Sequence, residues 1–258
     1  MISGVEALGN ISTAFNVGVS LGVNVSRVVL MTTAIGAQAG MIARQVHSYS
    51  TRQVGMNNNG IDPKSKIISR KEWHARNPKK ELENIPTSDL KKYYNSIVIH
   101  HTGNRLNNPT PKDIQSDQMD DEYDDVAYNF MVDRDGNIYE GRPLNKMQAH
   151  VAGVHHGLIG IALLGDFSYD NEGLKWPKSW AEGWNGSTSL TEKMLDALNN
   201  LIKYLNDKYG IEYLGGHKEF HDALNPKMKT NGENRHCPGN IGLKVVRYLR
   251  GIFHLRKP

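Results

Sequence analysis

Near its middle the chain reads Ser96-Ile97-Val98-Ile99-His100-His101-Thr102-Gly103. Its β-branched residues predict a buried strand over residues 96–100, with two imidazoles and a hydroxyl at the strand end. Loops at strand ends are where binding and catalytic side chains concentrate. Two more motifs with ligand chemistry follow much later, Gly215-Gly216-His217 and Arg235-His236-Cys237-Pro238-Gly239. These three motifs are the candidates for one common site.

The three motifs offer two imidazoles and one thiol, from His100, His217 and Cys237. Zinc accepts both ligand types, and a catalytic zinc site keeps a fourth position open beside three protein ligands. Cys237 is the one cysteine of the chain, so no intramolecular disulfide can form. Its thiol is an apolar core group, a nucleophile or a metal ligand, and the nearby histidines favour the last. We therefore expect Zn²⁺ as cofactor.

Two other histidines compete as ligands. Residues 225–234 form part of the long stretch that separates His217 from Cys237, and a surface loop can be long at small entropic cost. His221 stands four residues after His217, on the same face of a predicted helix, and His236 directly precedes Cys237. His101 points to the opposite face of the strand from His100, which favours a core or supporting role.

The first part of the chain differs from the rest. Residues 1–44 are nearly uncharged and rich in Gly, Ala and Val, with no basic start of the kind a secretory signal has. We expect either a membrane-active or delivery segment, or a helical or disordered extension that docks on a partner, with a cleavable export signal as the third alternative. Residues 45–66 hold Asn-Asn-Asn-Gly and Asp-Pro turns and predict a linker. Residues 67–258 then form the main domain.

The main domain alternates predicted strands and helices. Residues 127–132 and 137–142 flank an Asp-Gly turn and predict a hairpin, and the apolar run 158–165 predicts a central strand covered on both faces. A capping box beginning at Ser189 predicts a helix that ends at Gly210. A strand over 211–214 and a helix over 241–252 follow. This order predicts an α/β fold with a mixed central sheet flanked by helices.

The charge and the aromatic residues of the chain limit the classes of binding partner to be expected. Lys and Arg number 31 against 27 Asp and Glu, without a basic block, so we expect no nucleic-acid partner. The connection over 166–187 carries Trp176, Trp180 and Trp184. Such aromatic faces either stack on sugar rings or pack the loop upon itself, and Trp180 is the candidate for a sugar contact.

The motifs taken together resemble the N-acetylmuramoyl-L-alanine amidase family, which includes peptidoglycan recognition proteins and phage lysozyme-type amidases. The resemblance covers about residues 67–255, and its matching strings lie at 68–73, 98–102, 128–143, 149–150, 159–167, 215–217 and 237–239. Their shared order along the chain makes the resemblance specific. It implies the type 2 amidase fold and a peptidoglycan substrate.

The resemblance also implies residue roles. His100, His217 and Cys237 match the zinc ligands, and Tyr128 matches a tyrosine that assists catalysis. The position two residues before the cysteine carries Arg235, which cannot shuttle protons but can stabilise an oxyanion. The candidates for substrate contacts, besides Trp180, are His150, Thr102, Asn129 and Arg142.

The function implied is zinc-dependent hydrolysis of the amide between N-acetylmuramic acid and L-alanine. Such an enzyme would act on the cell wall in the periplasm or outside the cell, as a phage-type lytic enzyme or an antibacterial effector. It would arrive there without a standard signal peptide. The alternative is a non-catalytic recognition protein on the same fold, and the presence of Cys237 favours the enzyme.

Overall fold

A computed structural model describes residues 67–103, 108–154, 156–168, 190–224 and 237–258. The predicted segment 1–44 and linker 45–66 lie outside these residues, so their boundaries stay predictions. In chain order the elements are β1 (Ile67–Ile68), α1 (Leu90–Tyr93), β2 (Ser96–His101), α2 (Pro111–Asp120), β3 (Phe130–Val132), β4 (Ile138–Glu140), β5 (Leu158–Leu163), α3 (Glu192–Tyr209), β6 (Tyr213–Gly216), α4 (His217–Leu224) and α5 (Gly239–Ile252).

The six strands form one mixed sheet in the order β1-β4-β3-β5-β2-β6. Neighbouring strands are parallel except β3 and β4, which are the predicted antiparallel hairpin. All residues of β5 are buried, as expected for a central strand between β3 and β2. The prediction of a mixed sheet flanked by helices is therefore confirmed. In the described part of the chain no helix has the length and apolar character needed to cross a bilayer.

Several element boundaries differ from the sequence prediction by a few residues, and two of these differences have a visible cause. The long helix α3 begins at Glu192, not after Ser189, because Thr191 is its N-cap and accepts the backbone N–H of Met194. The Thr191 hydroxyl also donates to the carbonyl of Arg134, at 2.5 Å, and so ties the helix to the β3–β4 turn. Gly210 ends α3 in the left-handed conformation, with φ 68°, as predicted.

The second difference concerns the hairpin. The predicted strand 127–132 is shortened to β3, although its first residues still bond to the returning chain. Tyr128 accepts from the N–H of Arg142, and Asn129 accepts from the N–H of Gly141. A side chain on Gly141 would come within 2.2 Å of the Tyr128 carbonyl, so only glycine permits this approach.

The topology decides where the site lies. Strands β2 and β6 are adjacent and parallel, so the residues that follow them leave the sheet at the same edge. His100 stands at the end of β2, and His217 directly follows β6 as the first residue of α4. Helix α5 packs on these two strands and begins directly after Cys237-Pro238. The fold thus delivers all three ligand motifs to one region.

Candidate metal centre

The three predicted ligands meet at the edge of the sheet. One ligand atom each from His100, His217 and Cys237 lie within 4.8 Å of one another. The Nδ1 atom of His100 is 3.6 Å from the Cys237 Sγ, and the rings of His100 and His217 have centroids 4.7 Å apart. His221 is buried on α4 but does not join this group, which is the metal-type cluster found among the described residues. His236 lies outside those residues.

Close packing of neighbouring side chains on the backbone of Gly216 explains why a glycine precedes His217. A side chain on Gly216 would meet the Pro238 ring at 2.6 Å and Leu243 at 2.8 Å. Glycine at this position therefore lets the Cys237-Pro238 turn lie directly against the end of β6. The carbonyl of Cys237 accepts the N–H of Lys218 at 3.0 Å, which joins the two ligand segments through their backbones.

Burial controls the protonation of Cys237. Removal from water raises the pKa of its thiol to about 12. The hydrogen bond from the backbone N–H of His101 acts in the opposite direction and lowers this pKa. That N–H donates to the sulfur at 3.4 Å. A cation bound beside the sulfur reverses this balance, because it stabilises the thiolate directly. The geometry therefore suits a thiol that ionises when it binds a metal.

His150 supports His100 from the opposite side of the ring. Its Nδ1 lies 3.1 Å from the Nε2 of His100, and both side chains are buried. With Nδ1 of His100 facing Cys237, a hydrogen on its Nε2 would donate to His150 and fix the tautomer, as partners of metal-binding histidines do. Gly160 makes room for this contact, because a side chain there would come within 2.5 Å of the His150 ring.

Both imidazoles are held neutral. Burial, together with the neighbouring imidazole of His217, lowers the pKa of His100 well below its usual value and that of His150 to about 3. The folded protein therefore binds fewer protons at mildly acidic pH than the unfolded chain, whose histidines titrate near 6.5. The sign follows from this difference: stability rises with pH, and is lost as pH falls below about 6.5.

We expect the zinc-free protein to lose about 1.4 kcal/mol of unfolding free energy per pH unit below 6.5 from His150, whose pKa is lowered to about 3. Urea unfolding of chelator-treated protein between pH 7 and pH 5 measures this slope. The variant His150→Gln should lower the slope by one histidine's contribution. Equal slopes for the two proteins would show that His150 is not held neutral.

The aromatic ring of Tyr128 lies in the same region, and its hydroxyl makes a hydrogen bond with the side chain of Gln118. Its ring centroid lies 5.0 Å from that of His100. Burial raises its pKa, with the Cys237 thiol as a second cause, so the hydroxyl stays protonated and can donate a hydrogen bond. This is the property required of a group that stabilises negative charge on oxygen.

The remaining predicted residues make internal contacts. Thr102 donates to the carbonyl of Gly165 and accepts its N–H. Asn129 bonds Gly160 and the carbonyl of Arg142, with no exposed surface. Arg142 donates to two carbonyls inside the protein. Their substrate contacts stay predictions, as does that of His150. Trp180 and Arg235 lie outside the described residues.

Sequence reasoning missed the partner of His101. Its Nδ1 accepts the N–H of Phe167 at 3.1 Å and lies 3.4 Å from a carboxylate oxygen of Asp166. The signal was present, because Asp166 follows the strand that pairs with β2 and so leaves the sheet at the same edge. The carbonyl of Phe167 accepts the N–H of Ile241, so this turn also anchors the start of α5.

Known proteins are similar to this chain in sequence. The family model for N-acetylmuramoyl-L-alanine amidase (Amidase_2) matches residues 90–240. Peptidoglycan-recognition protein SC1a of Drosophila melanogaster is 34% identical over 111 residues, which cover 40% of this chain and 57% of the fly protein. Mouse peptidoglycan recognition protein 3 is 32% identical over 107 residues, or 39% of this chain and 29% of that protein. The chain thus spans about half the length, or less, of these curated relatives.

Solved structures share the fold. The endolysin N-acetylmuramoyl-L-alanine amidase LysCS of Clostridium intestinale superposes with a TM-score of 0.52 at 24% identity, over 74% of this chain and 97% of that one. Drosophila PGRP-LB superposes with a TM-score of 0.50 at 25% identity, over 74% and 96%. The likeness to LysCS supports the shared fold alone. The family model, in contrast, matches more than half of the sequence. The chain therefore belongs to the N-acetylmuramoyl-L-alanine amidase family.

Proposed function

We propose that this protein is a zinc-dependent amidase that hydrolyses the bond between N-acetylmuramic acid and L-alanine in peptidoglycan. The observation that carries the proposal is the meeting of His100, His217 and Cys237 at one edge of the sheet. A recognition protein that only binds peptidoglycan has no need for three converging ligands of this kind. Membership of the amidase family supports the same reaction.

The donor set fits zinc. Two imidazoles and one thiolate are ligands that zinc prefers, and three of them leave one tetrahedral position for a reactant. Bond lengths of about 2.0–2.3 Å put neighbouring ligand atoms of a tetrahedral zinc roughly 3.5 Å apart. The three ligand atoms lie within 4.8 Å of one another, so side-chain movements of only about 1 Å would bring them to the spacing of zinc ligands.

The chain's own residues would divide the work. A bound Zn²⁺ supplies Lewis-acid chemistry, which polarises a carbonyl and lowers the pKa of water toward about 7. His150 holds the His100 ring in the tautomer that leaves Nδ1 free for the metal. The hydroxyl of Tyr128 donates a hydrogen bond to the oxygen that becomes negative when the amide carbonyl is attacked. We propose the same electrostatic role for Arg235, and a sugar contact for Trp180.

The substrate class is supported by structural neighbours. One solved structure is a PGRP-LB mutant of Drosophila in complex with tracheal cytotoxin, and another is a complex of that molecule with the ectodomains of PGRP-LCa and PGRP-LCx. We infer a peptidoglycan fragment as the ligand here, and hence action in the periplasm or outside the cell. Segment 1–44 would then serve delivery, membrane contact or partner docking.

The relatives' names favour a second candidate, a recognition protein that binds peptidoglycan without cleaving it. Incubation of purified sacculi with the chain of 258 residues separates the two. We expect free peptides with an amino-terminal L-alanine by mass spectrometry, lost on treatment with a chelator and restored by zinc. Sedimentation with sacculi in the absence of any cleavage would contradict the amidase and support the recognition protein.

A further inference from the structure

A largely buried ion pair lies beside the start of α4. One guanidinium nitrogen of Arg250, Nη2, contacts both carboxylate oxygens of Glu219, at 3.1 and 3.2 Å. The two side chains are only 12% and 11% exposed. Lys257 approaches the same carboxylate more loosely, at 3.9 Å. Charge-assisted hydrogen bonds of this kind, shielded from water, hold their partners in a defined geometry.

The carboxylate of Glu219 also reaches back to the helix start. It accepts the backbone N–H of Gly216 at 3.1 Å, three residues earlier in the chain. This is the reach-back half of a capping box, which fixes the direction in which a chain enters a helix. The residue that follows Gly216, and with which the helix begins, is His217. Glu219 therefore restrains the backbone that carries this ligand.

Helix α5 connects the pair to the other side of the site. Cys237 directly precedes its N-cap, Pro238, and Arg250 lies in its last turn. Its leading segment bonds α4 through the N–H of Lys218 and the carbonyl of Cys237, while its far end bonds α4 through Glu219. Two separate contacts with α5 thus fix the first turn of α4.

We propose that Glu219 and Arg250 are positioning residues for His217, a role that rests on the zinc site proposed above. They set the angle at which α4 leaves β6, and through it the distance from the His217 imidazole to His100 and Cys237. Neither side chain is among the three that form the ligand cluster. Partners beyond the ligands themselves commonly contribute 10- to 100-fold to metal affinity.

The alternative is that the pair merely stabilises the fold, and the chain contains a matched control. Arg70 lies 2.9 Å from Asp125, with side chains 18% and 0% exposed. That pair adjoins β1, at the far edge of the sheet from β6. The variants Arg250→Lys and Arg70→Lys therefore disturb comparable ion pairs, of which only one adjoins a ligand.

The test measures zinc affinity of the full chain by competition with a chromophoric chelator, with no peptidoglycan present. We expect Arg250→Lys to weaken affinity about 10-fold or more, and Arg70→Lys to change it less than about 2-fold. The visible bands of the Co²⁺-substituted protein should change in Arg250→Lys alone. Glu219→Gln, which keeps an acceptor for Gly216 but loses the charge, serves as the second variant if Arg250→Lys does not fold.

Wild-type affinity in Arg250→Lys, or in Glu219→Gln if that variant is needed, would overturn the proposal, and so would an equal loss in Arg70→Lys. Zinc binding is measured without substrate, so a failure of the positioning proposal can be distinguished from a failure of the amidase proposal. If the wild-type protein binds zinc tightly and Arg250→Lys weakens this binding, but no peptidoglycan is cleaved, the positioning proposal stands and the amidase proposal is wrong. A wild-type chain that binds no zinc would overturn both.

Discussion

Replacement of Cys237 by alanine is expected to lower the rate of L-alanine peptide release by more than about 100-fold, since losing even a supporting partner of a metal ligand can reduce activity 10- to 100-fold. The variant lacks the thiolate of the cluster, so His100 and His217 remain as the ligands of a site that needs three. Zinc content measured by mass spectrometry should fall together with the rate. Both quantities are followed in the same purified sample.

The control for this experiment is His221→Ala. His221 is buried on the same helix as His217 and is chemically able to bind zinc, but it does not join the ligand cluster. We expect this variant to keep one zinc per folded chain, with circular dichroism used to verify folding. Loss of zinc in His221→Ala with retention in Cys237→Ala would reverse the assignment of ligands.

The ligand cluster could be predicted because its signals are local. The run of β-forming residues before His100 predicts a strand and its end, and His217 follows a second predicted strand that ends in two glycines. Strand pairing then brings the ends of β2 and β6 together. The sequence alone left His221 and His236 as competitors, because the length of a loop does not determine which imidazole it delivers.

The supporting contacts could not be predicted, because each joins side chains far apart in sequence. His150 meets His100 across 50 residues, and Arg250 meets Glu219 across 31. No periodicity or capping rule encodes such pairs, which depend on how the elements pack. The same limit explains the start of α3: Ser189 and Thr191 are both acceptable caps, and the contact of Thr191 with the β3–β4 turn decides between them.

The phenol of Tyr128 is the second group on which a large effect is expected. Replacing Tyr128 by phenylalanine removes one hydrogen-bond donor and leaves the ring beside His100 in place. We expect kcat for peptide release to fall about 10²- to 10³-fold, the usual cost of losing one donor to a developing oxyanion. Zinc content and sedimentation with sacculi should stay at the wild-type level, because neither depends on the hydroxyl.

Tyr139→Phe is the matched control. Tyr139 is also a partly buried tyrosine with a raised pKa, but its hydroxyl donates to Asp133 at 2.7 Å, beside the hairpin turn. It should keep the wild-type rate at a small loss of stability. If Tyr128→Phe also kept the wild-type rate, Tyr128 would be a packing residue, and stabilisation of the oxyanion would pass to other groups such as Arg235. A fall in rate confined to Tyr128→Phe, with zinc retained, would separate catalysis from metal binding within one site.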